Sequence, residues 1–491
     1  MSTTESPHSA TAAKPIGTRV VQNTAVLLTG RILSVLLGGA SSILIVRCLG
    51  SEQLGEFSSL YAYVSLFAWL ATLGIEPVLT RESARWRERS GSIIATGAAL
   101  CGLFAIAAAV FVILLAPHFA YRGKMQVLVV FAAIELLILA PLRLAGVIFQ
   151  VDLKQWYGTG INLVRQVLWL LIIILLARAK GSLTSFVVGR LLAAAVETFL
   201  ILAMSAGFLK SPRRIIVQDF KVYLRACIPI AFSMLLASVY LRIDQVMLHS
   251  MASDKILGFY AAAVKVSELF EMLPAALLAS VFPILAIAAN DKQRMAVYVD
   301  RIFRYLMAAA GLLCTLIYVG SELIVHTLYG PQFSPSAQLL SILIWSEFAI
   351  FFGSAVGNLL LARSLQNYLI YPTIAGATVN VLLNLIWIPR YAAVGSAWAT
   401  LVSYTFAWAV VLLGFADTRG MVWEGLRKGV PVALLSAVVA VIVSHLPLPS
   451  VVRLATALAL YGAGVGVIRT IKAEDIQFLR TALGHTLGRS T

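Results

Sequence analysis

Fourteen apolar stretches, each long enough to span a bilayer, cover almost the whole of this chain, and charged residues lie inside several of them. A helix needs about 20 mostly apolar residues to cross the hydrocarbon core of a membrane. A charged side chain that faces lipid is costly, so intramembrane Arg, Lys, Glu and Asp normally face a bundle interior or a water-filled cavity. The sequence therefore predicts an all-α polytopic membrane protein that encloses a polar chamber.

The predicted membrane spans follow one another with short connections. They lie at residues 24–46, 57–75, 92–115, 126–149, 158–178, 183–206, 226–248, 257–288, 302–327, 336–361, 367–388, 392–415, 429–446 and 451–470. The chain is 60% hydrophobic and only 12% charged, whereas about a quarter of the residues in soluble domains are charged. The polar first 20 residues lack the apolar region of a signal peptide and predict a disordered tail.

Basic residues are distributed unequally between alternate connections. Of the 38 Lys and Arg residues, 24 fall on one side of the predicted spans, eight on the other side and six within the spans. The positive-inside rule places the larger set, and with it both termini, in the cytoplasm. The net charge of +16 is therefore a topology signal that also favours contact with anionic membrane lipids. It gives poor support to nucleic-acid binding.

The sequence contains no motif for metal, cofactor or catalytic chemistry. Its four cysteines are scattered, and its six histidines form no HxxxH or HExxH pattern. A GxxxxGK[ST] phosphate loop is also missing, so this chain is not expected to hydrolyse ATP. We expect no metal, no cofactor, no catalytic residues and no enzyme activity.

Three short motifs recur along the chain at similar spacing. The segment SEQLGEF at 51–57 resembles SDKILGFY at 253–260, PVL at 77–79 resembles PIL at 283–285, and PHF at 117–119 resembles PQF at 331–333. The offsets of 202 to 214 residues suggest two halves of six helices each. An even number of helices gives both halves the same orientation, with a pseudo-axis along the membrane normal.

This repeat divides the chain into six parts. They are a disordered cytoplasmic tail (1–20), an N-terminal six-helix bundle (21–206), a cytoplasmic linker (207–225), a C-terminal six-helix bundle (226–415), helices 13 and 14 (416–470) and a cytoplasmic tail (471–491).

Short motifs near the predicted helix ends give the chain a resemblance to a known family. They are Gln22 and Asn23 ahead of Arg31, VRCLG at 46–50 with GEF at 55–57, LGI at 73–75 with LTRE at 79–82, DQVML at 244–248, LYG at 328–330 with Phe333, and GSA at 395–397. Over about residues 18–470 the chain resembles the Wzx-type polysaccharide flippases of the multidrug/oligosaccharidyl-lipid/polysaccharide (MOP) exporter superfamily.

The resemblance implies both an architecture and a cargo. The expected fold is two six-helix bundles packed as a V around a central cavity, plus two C-terminal helices. The expected cargo is a lipid-linked oligosaccharide for O-antigen or exopolysaccharide synthesis, carried across the bacterial inner membrane. A polymerase or glycosyltransferases of the same pathway would be partners.

Six basic residues within the spans are the candidate substrate-binding residues of the chamber. They are Arg31, Arg143, Arg165, Arg190, Arg242 and Lys265. At a rise of 1.5 Å per residue, Arg31 and Arg165 lie roughly 12 Å from the cytoplasmic edge, and Arg190 and Lys265 roughly 10–12 Å from the other edge. A guanidinium group stays charged and matches phosphate oxygens bidentately, so this distribution predicts a phosphate-bearing cargo.

Other roles for these cations stay open at this point. Any of them could satisfy backbone carbonyls or pair with a nearby acid. Arg143 and Arg242 lie near helix ends, where they could equally well reach the membrane interface.

Six acidic residues within or near the spans are candidates for ion coupling. They are Glu135, Glu197, Asp244, Glu268, Glu271 and Glu347. Lys265 and Glu268 have i,i+3 spacing, which predicts a local ion pair. Burial favours the neutral form of a carboxyl, so Glu135, Glu197 and Glu347 are either proton carriers or protonated structural groups.

Two other function classes compete with this interpretation. An ion-coupled multidrug or cation antiporter of the same superfamily would need an acidic chamber, whereas six bases lie within these spans. A membrane glycosyltransferase or polymerase would carry a large periplasmic loop, and here no such predicted loop exceeds about a dozen residues. The favoured prediction is a flippase for an undecaprenyl-pyrophosphate-linked oligosaccharide that works by alternating access without ATP hydrolysis.

Overall fold

The computed structural model describes residues 16–208, 212–288 and 291–470, and all regular secondary structure in these ranges is helical. The α-helices are α1 (Ile16–Ser65), α2 (Ala68–Thr72), α3 (Glu76–Arg85), α4 (Ser90–Leu115), α5 (Lys124–Leu142), α6 (Val147–Val151), α7 (Trp156–Arg178), α8 (Leu183–Ala206), α9 (Phe220–Met251), α10 (Asp254–Ser267), α11 (Met272–Ala288), α12 (Lys292–Tyr329), α13 (Pro335–Leu343), α14 (Ser346–Ala362), α15 (Ile370–Gly414), α16 (Ala416–Ser444) and α17 (Ser450–Val467). The predicted C-terminal tail, most of the N-terminal tail and part of the linker lie outside the described residues.

Eleven helical segments in the described ranges are long and apolar enough to cross a membrane, which confirms an all-α polytopic membrane protein. Two of them contain a backbone break, at Gly50 in α1 and at Ala392 in α15. The break at Gly50 falls between the first and second predicted spans, and the break at Ala392 falls on the first residue of the twelfth. Gly50 has a φ of 68°, a conformation that glycine adopts at little cost. The count of fourteen spans stays a prediction.

The eighth predicted span, residues 257–288, is wrong as one continuous helix. α10 ends at Ser267 and α11 begins at Met272, with a turn at residues 268–271 between them. Irregular backbone at membrane depth is tolerated where it is buried in protein or lines a cavity. The turn contains Glu268 and Glu271, so the interruption of the helix coincides with two of the predicted acidic residues, both of them half-buried.

The N-terminal half (residues 21–206) and the C-terminal half (residues 226–415) are named here after the predicted bundles. The most extensive contact between them is where α1 crosses α10. Gly55 lies against the backbone of Asp254, and Gly258 lies against the backbone of Ser51. A Cβ atom at either glycine would overlap those backbone atoms, so only glycine permits this crossing. The two glycines occupy equivalent positions in the sequence repeat at 51–57 and 253–260. The repeat therefore supplies matching contacts on the two sides of one interface.

An arginine strengthens the same interface. The Arg47 guanidinium donates hydrogen bonds to the backbone carbonyls of Leu328 and Thr327, each at 2.7 Å. These carbonyls belong to the last turn of α12, where helical carbonyls have no partner within the helix. Arg47, in the N-terminal half, therefore caps the C-terminal end of α12, in the C-terminal half.

The last two helices pack on the C-terminal half. α16 and α17 both contact α12 and each other. The Tyr461 hydroxyl donates to the Ala308 carbonyl at 2.6 Å, and Lys428 Nζ lies 2.7 Å from an Asp300 oxygen. These polar links fix α16 and α17 against one side of the C-terminal half.

Candidate functional site

Three of the six predicted cations lie together in the N-terminal half. Arg143 donates from Nη2 to both carboxylate oxygens of Glu197, at 2.8 and 2.9 Å. Arg165 places Nε 3.3 Å from the same carboxylate and donates from Nη2 to Asn162 at 2.9 Å. Glu197 is only 3% exposed. One buried carboxylate thus holds two guanidinium groups that the sequence places on separate predicted spans.

The third arginine has its own carboxylate. Arg190 Nε lies 3.2 and 3.3 Å from the two oxygens of Glu135. Its guanidinium carbon lies 3.9 Å from the centre of the Tyr61 ring, which is close enough for a cation–π contact. Glu135 and Tyr61 therefore fix the direction in which Arg190 points.

A cavity of about 520 Å³ opens beside this cluster. Its charged lining residues are Glu76, Glu135, Arg143 and Arg190. The rest of the lining is mostly apolar and comes largely from the N-terminal half, with Ile230 and Met234 from α9. The cavity thus offers arginine donors, carboxylate acceptors and contact with both halves of the molecule.

Three residues at this site, Glu76, Tyr61 and Asn162, are not among the site residues predicted from the sequence. Glu76 accepts a hydrogen bond from Gln150 Nε2 at 2.6 Å, although the two are 74 residues apart. The Tyr61 ring likewise meets Arg190 only through the fold. Asn162 is the exception, since it lies one turn before Arg165 on α7 and i,i+3 spacing could have indicated its contact.

The C-terminal half contains a second charged cluster. The predicted ion pair between Lys265 and Glu268 is wrong, because Glu268 instead accepts from Arg242 Nη1 at 2.7 Å. No ion pair between described residues includes Lys265. The physical reason is competition from another helix. Glu268 keeps a helical backbone and donates its N–H to the Val264 carbonyl, but its carboxylate contacts Arg242 on α9 and not Lys265.

Asp244 is held by neutral donors. It accepts from the Tyr260 hydroxyl at 2.5 Å and from the backbone N–H of Gln245 at 2.7 Å. The Tyr260 hydroxyl also lies 3.3 Å from Thr400 Oγ1 on α15. Asp244 therefore connects three helices of this half through a buried hydrogen-bond network.

A smaller cavity of about 240 Å³ adjoins this network. Its ionisable carboxyl residues are Asp244, Glu268 and Glu271, and Arg242 is its only cation. Glu271 also lines a neighbouring cavity of about 350 Å³. The C-terminal half thus presents an acidic pocket, whereas the cavity of the N-terminal half has equal numbers of acids and arginines.

Five predicted residues line neither of these two cavities: Arg31, Arg165, Glu197, Lys265 and Glu347. Arg31 is exposed on α1, and it has no ion-pair or hydrogen-bond partner among the described residues. Glu347 is fully buried on α14 and accepts one hydrogen bond, from Ser267 Oγ at 3.1 Å. The predicted ladder is therefore two clusters with Arg31 separate from them. The described residues contain no group of three or more His, Cys, Asp or Glu side chains that could hold a metal ion.

Comparison with known proteins finds two family profiles and a related protein. The profile of the family described as Polysaccharide biosynthesis protein matches residues 20–288, more than half of the chain. The MatE profile matches residues 229–386. Probable flippase AglR of Haloferax volcanii is 31% identical over 173 residues, which are 34% of this chain. That match spans 36% of the length of AglR.

Two solved structures share the fold. Lipid II flippase MurJ in an inward closed conformation has a TM-score of 0.70 at 12% identity, with 91% of this chain and 98% of that chain covered. An inward-facing multidrug resistance MATE family transporter of the MOP superfamily has a TM-score of 0.60 at 14% identity, with 81% and 95% covered. These similarities confirm the predicted all-helical transporter fold. The relatives are transporters, in agreement with the prediction that the chain is not an enzyme.

Proposed function

We propose that this chain, which belongs to the polysaccharide biosynthesis protein family within the MOP superfamily, is a flippase for a lipid-linked oligosaccharide. The cargo is an undecaprenyl-pyrophosphate-linked unit of a surface polysaccharide, carried from the cytoplasmic to the periplasmic leaflet. Transport proceeds by alternating access without ATP hydrolysis, in the bacterial inner membrane and with both termini in the cytoplasm. A polymerase or glycosyltransferases of the same pathway are its proposed partners.

The observation that carries this proposal is the pair of arginines on the wall of the 520 Å³ cavity. Arg143 contacts Glu197 through Nη2 alone and its side chain is 48% exposed, so its other N–H donors can reach a ligand. Arg190 contacts Glu135 through Nε and its side chain is 41% exposed. Two guanidinium groups, each anchored on one edge and free on the other, suit the bidentate binding of a pyrophosphate.

The other four predicted cations, Arg31, Arg165, Arg242 and Lys265, lie outside the wall of this cavity. Arg165 lies behind Arg143 on the same carboxylate, and Arg242 faces the acidic pocket of the C-terminal half. Arg31 and Lys265, one in each half, form no ion pair within contact distance among the described residues. We expect these two to meet the cargo phosphates when the halves move relative to each other.

A cation antiporter is the second candidate, and one observation favours it. The acidic cavity lined by Asp244, Glu268 and Glu271 lies in the half of the chain that the MatE profile matches. An acidic pocket attracts organic cations, whereas the arginine-lined cavity repels them. The two cavities thus favour cargoes of opposite charge. Substitutions in each cavity can therefore distinguish a flippase from a cation antiporter.

Alanine substitution of the cavity arginines tests the flippase. In a host strain that lacks the chromosomal copy, Arg143→Ala and Arg190→Ala should each reduce surface-polysaccharide export by about tenfold or more, since a charge-assisted hydrogen bond contributes roughly 1.5–3 kcal/mol. Lipid-linked oligosaccharide should accumulate in the cytoplasmic leaflet. Arg→Lys should restore export in part, because the charge survives but the fork is lost.

The exposed Arg301, which lines neither cavity, provides the matched control as Arg301→Ala. Membrane abundance is measured in every strain, so that loss of protein is not mistaken for loss of transport. Full export by both alanine variants would remove these arginines from the cargo path. Intact surface polysaccharide in the deletion strain, together with ethidium efflux on expression, would establish the antiporter instead.

A further inference from the structure

Glu347 is a fully buried carboxyl that no cation in the described part of the chain neutralises. It lies in the first turn of α14 and is 0% exposed. No ion pair between described residues includes it. Oε1 accepts a hydrogen bond from Ser267 Oγ at 3.1 Å, and Oε2 has no hydrogen-bond partner. This distinguishes Glu347 from Glu135, Glu197 and Glu268, each of which contacts an arginine.

Such an environment determines the protonation state of the group. A carboxylate that is removed from water without a counterion loses its solvation and gains nothing in return, so it carries a proton instead. The single donor from Ser267 is a neutral hydroxyl, which is too little to hold a full buried charge. Since Oε2 has no acceptor within reach, a proton on that oxygen is not locked into a fixed hydrogen bond. It can therefore leave when an acceptor arrives.

The neighbours of Glu347 offer a path for that proton. Among the described residues, the titratable groups near enough to interact electrostatically with Glu347 are Glu271, in the turn before α11, and the Cys314 thiol on α12, and neither is positively charged. Glu271 lines both cavities of the C-terminal half. Ser267, the hydrogen-bond donor to Glu347, lines the 240 Å³ cavity as well. Only the Ser267 side chain therefore separates the Glu347 carboxyl from the 240 Å³ cavity.

We propose that Glu347 is an intramembrane proton-binding site that exchanges its proton with the C-terminal cavities through Glu271. The O–H bond at Glu347 Oε2 breaks, a water molecule relays the proton to the Glu271 carboxylate, and Glu271 releases it into the cavity. The transient Glu347 carboxylate keeps the Ser267 hydrogen bond and is reprotonated by the reverse route. A role of this site in driving transport rests on the proposed function. The bound proton itself does not depend on the cargo.

Infrared difference spectroscopy on the purified full chain in liposomes tests the bound proton directly. The wild type should show the carbonyl stretch of a protonated carboxylic acid at neutral pH, and Glu347→Gln should remove that band. Ser267→Ala should shift the band without removing it, because only the hydrogen bond is lost. The exposed Glu322, also a membrane-helix glutamate, is the matched control as Glu322→Gln. An unchanged band in Glu347→Gln would overturn the proposal.

A second experiment tests the coupling. In liposomes that contain lipid-linked oligosaccharide extracted from the host, a gradient of one pH unit should shift the distribution of cargo between leaflets about tenfold for one proton per cargo. Glu347→Gln and Glu271→Gln should lose this response while flipping still proceeds without a gradient. A wild type that flips equally with and without the gradient would refute the coupling role. A protonated carboxyl in a protein that flips no oligosaccharide would refute the flippase and leave the proton site standing.

Discussion

At the scale of single residues, Glu197 is the side chain on which the arginine cluster depends. It is 3% exposed and contacts both Arg143 and Arg165. Two guanidinium groups this close together repel each other unless a negative charge lies between them. Glu197 therefore determines whether Arg143 can face the cavity with its free donors, so its charge has a structural as well as an electrostatic consequence.

We predict that Glu197→Gln lowers the stability of the folded protein by about 1–3 kcal/mol, because a buried charge pair is broken while one of its arginines is half exposed. The change should appear as a lower midpoint of thermal unfolding in detergent. Glu322→Gln removes an exposed carboxylate and should leave the midpoint unchanged. Equal midpoints for the wild type and Glu197→Gln would show that the arginines are not stabilised by this carboxylate.

At the scale of helices, the crossing of α1 and α10 is the tightest link between the halves. Gly55 and Gly258 let the two backbones touch, and Arg47 fastens the adjacent end of α12. In an alternating-access transporter the halves must separate on one side before they can close on the other. Because glycine has only a hydrogen atom where other residues carry a side chain, even one added methyl group at Gly55 or Gly258 should disturb this crossing.

We predict that Gly258→Ala opens this crossing. Its Cβ atom would overlap the Ser51 backbone, and overpacking of this kind costs about 1–3 kcal/mol, enough to shift a population about tenfold. A cysteine at the buried Ser59 should then react faster with a membrane-impermeant thiol reagent. Gly38→Ala is the control, because its Cβ would meet no atom within 4 Å. Equal reaction rates in the two variants would contradict the assigned role of the crossing.

The turn between α10 and α11 has a different consequence. A continuous helix would have placed Glu268 and Glu271 three residues apart on one face. Instead, Glu268 meets Arg242 on α9, and Glu271 lines two cavities. An interrupted helix at membrane depth therefore provides a polar surface that an uninterrupted rod cannot present.

At the scale of the whole molecule, the buried charges are divided between the halves. The cavity of the N-terminal half presents Arg143 and Arg190, with their carboxylates behind them. The pocket of the C-terminal half has three carboxyl residues and one arginine. Because an anion and a proton need opposite surroundings, the two halves can serve two ligands of one transport cycle without competition.

The orientation of the molecule is a further prediction at this scale. The excess of basic residues on one side, 24 against eight, predicts that Glu88 faces the cytoplasm and Gln332 the periplasm. Both side chains are exposed, and Cys48 is the one native cysteine that is exposed. In a Cys48→Ser background, an impermeant thiol reagent added to intact cells should label Gln332→Cys and not Glu88→Cys. The reverse pattern would invert the predicted topology.

The sequence alone determined the class of the protein. Long apolar runs leave a chain no stable state in water, and only helices or closed barrels satisfy the backbone in lipid, so helical spans follow from composition. The repeated segments at 51–57 and 253–260 also predict two equivalent halves. The same pattern pointed to charged residues within the spans, some of which, such as Arg143, Arg190 and Glu271, line cavities, whereas Arg31 is exposed.

Only the tertiary structure decided which charges meet. Glu197 joins Arg143 and Arg165 from three different helices, and Glu268 pairs with Arg242 at a separation of 26 residues instead of with Lys265 at three. A local rule such as i,i+3 pairing considers only neighbours on one helix, whereas the cation that contacts Glu268, Arg242, lies on α9. Pairing between helices depends on how the helices rotate and cross, and those angles are set by the packing of the whole bundle.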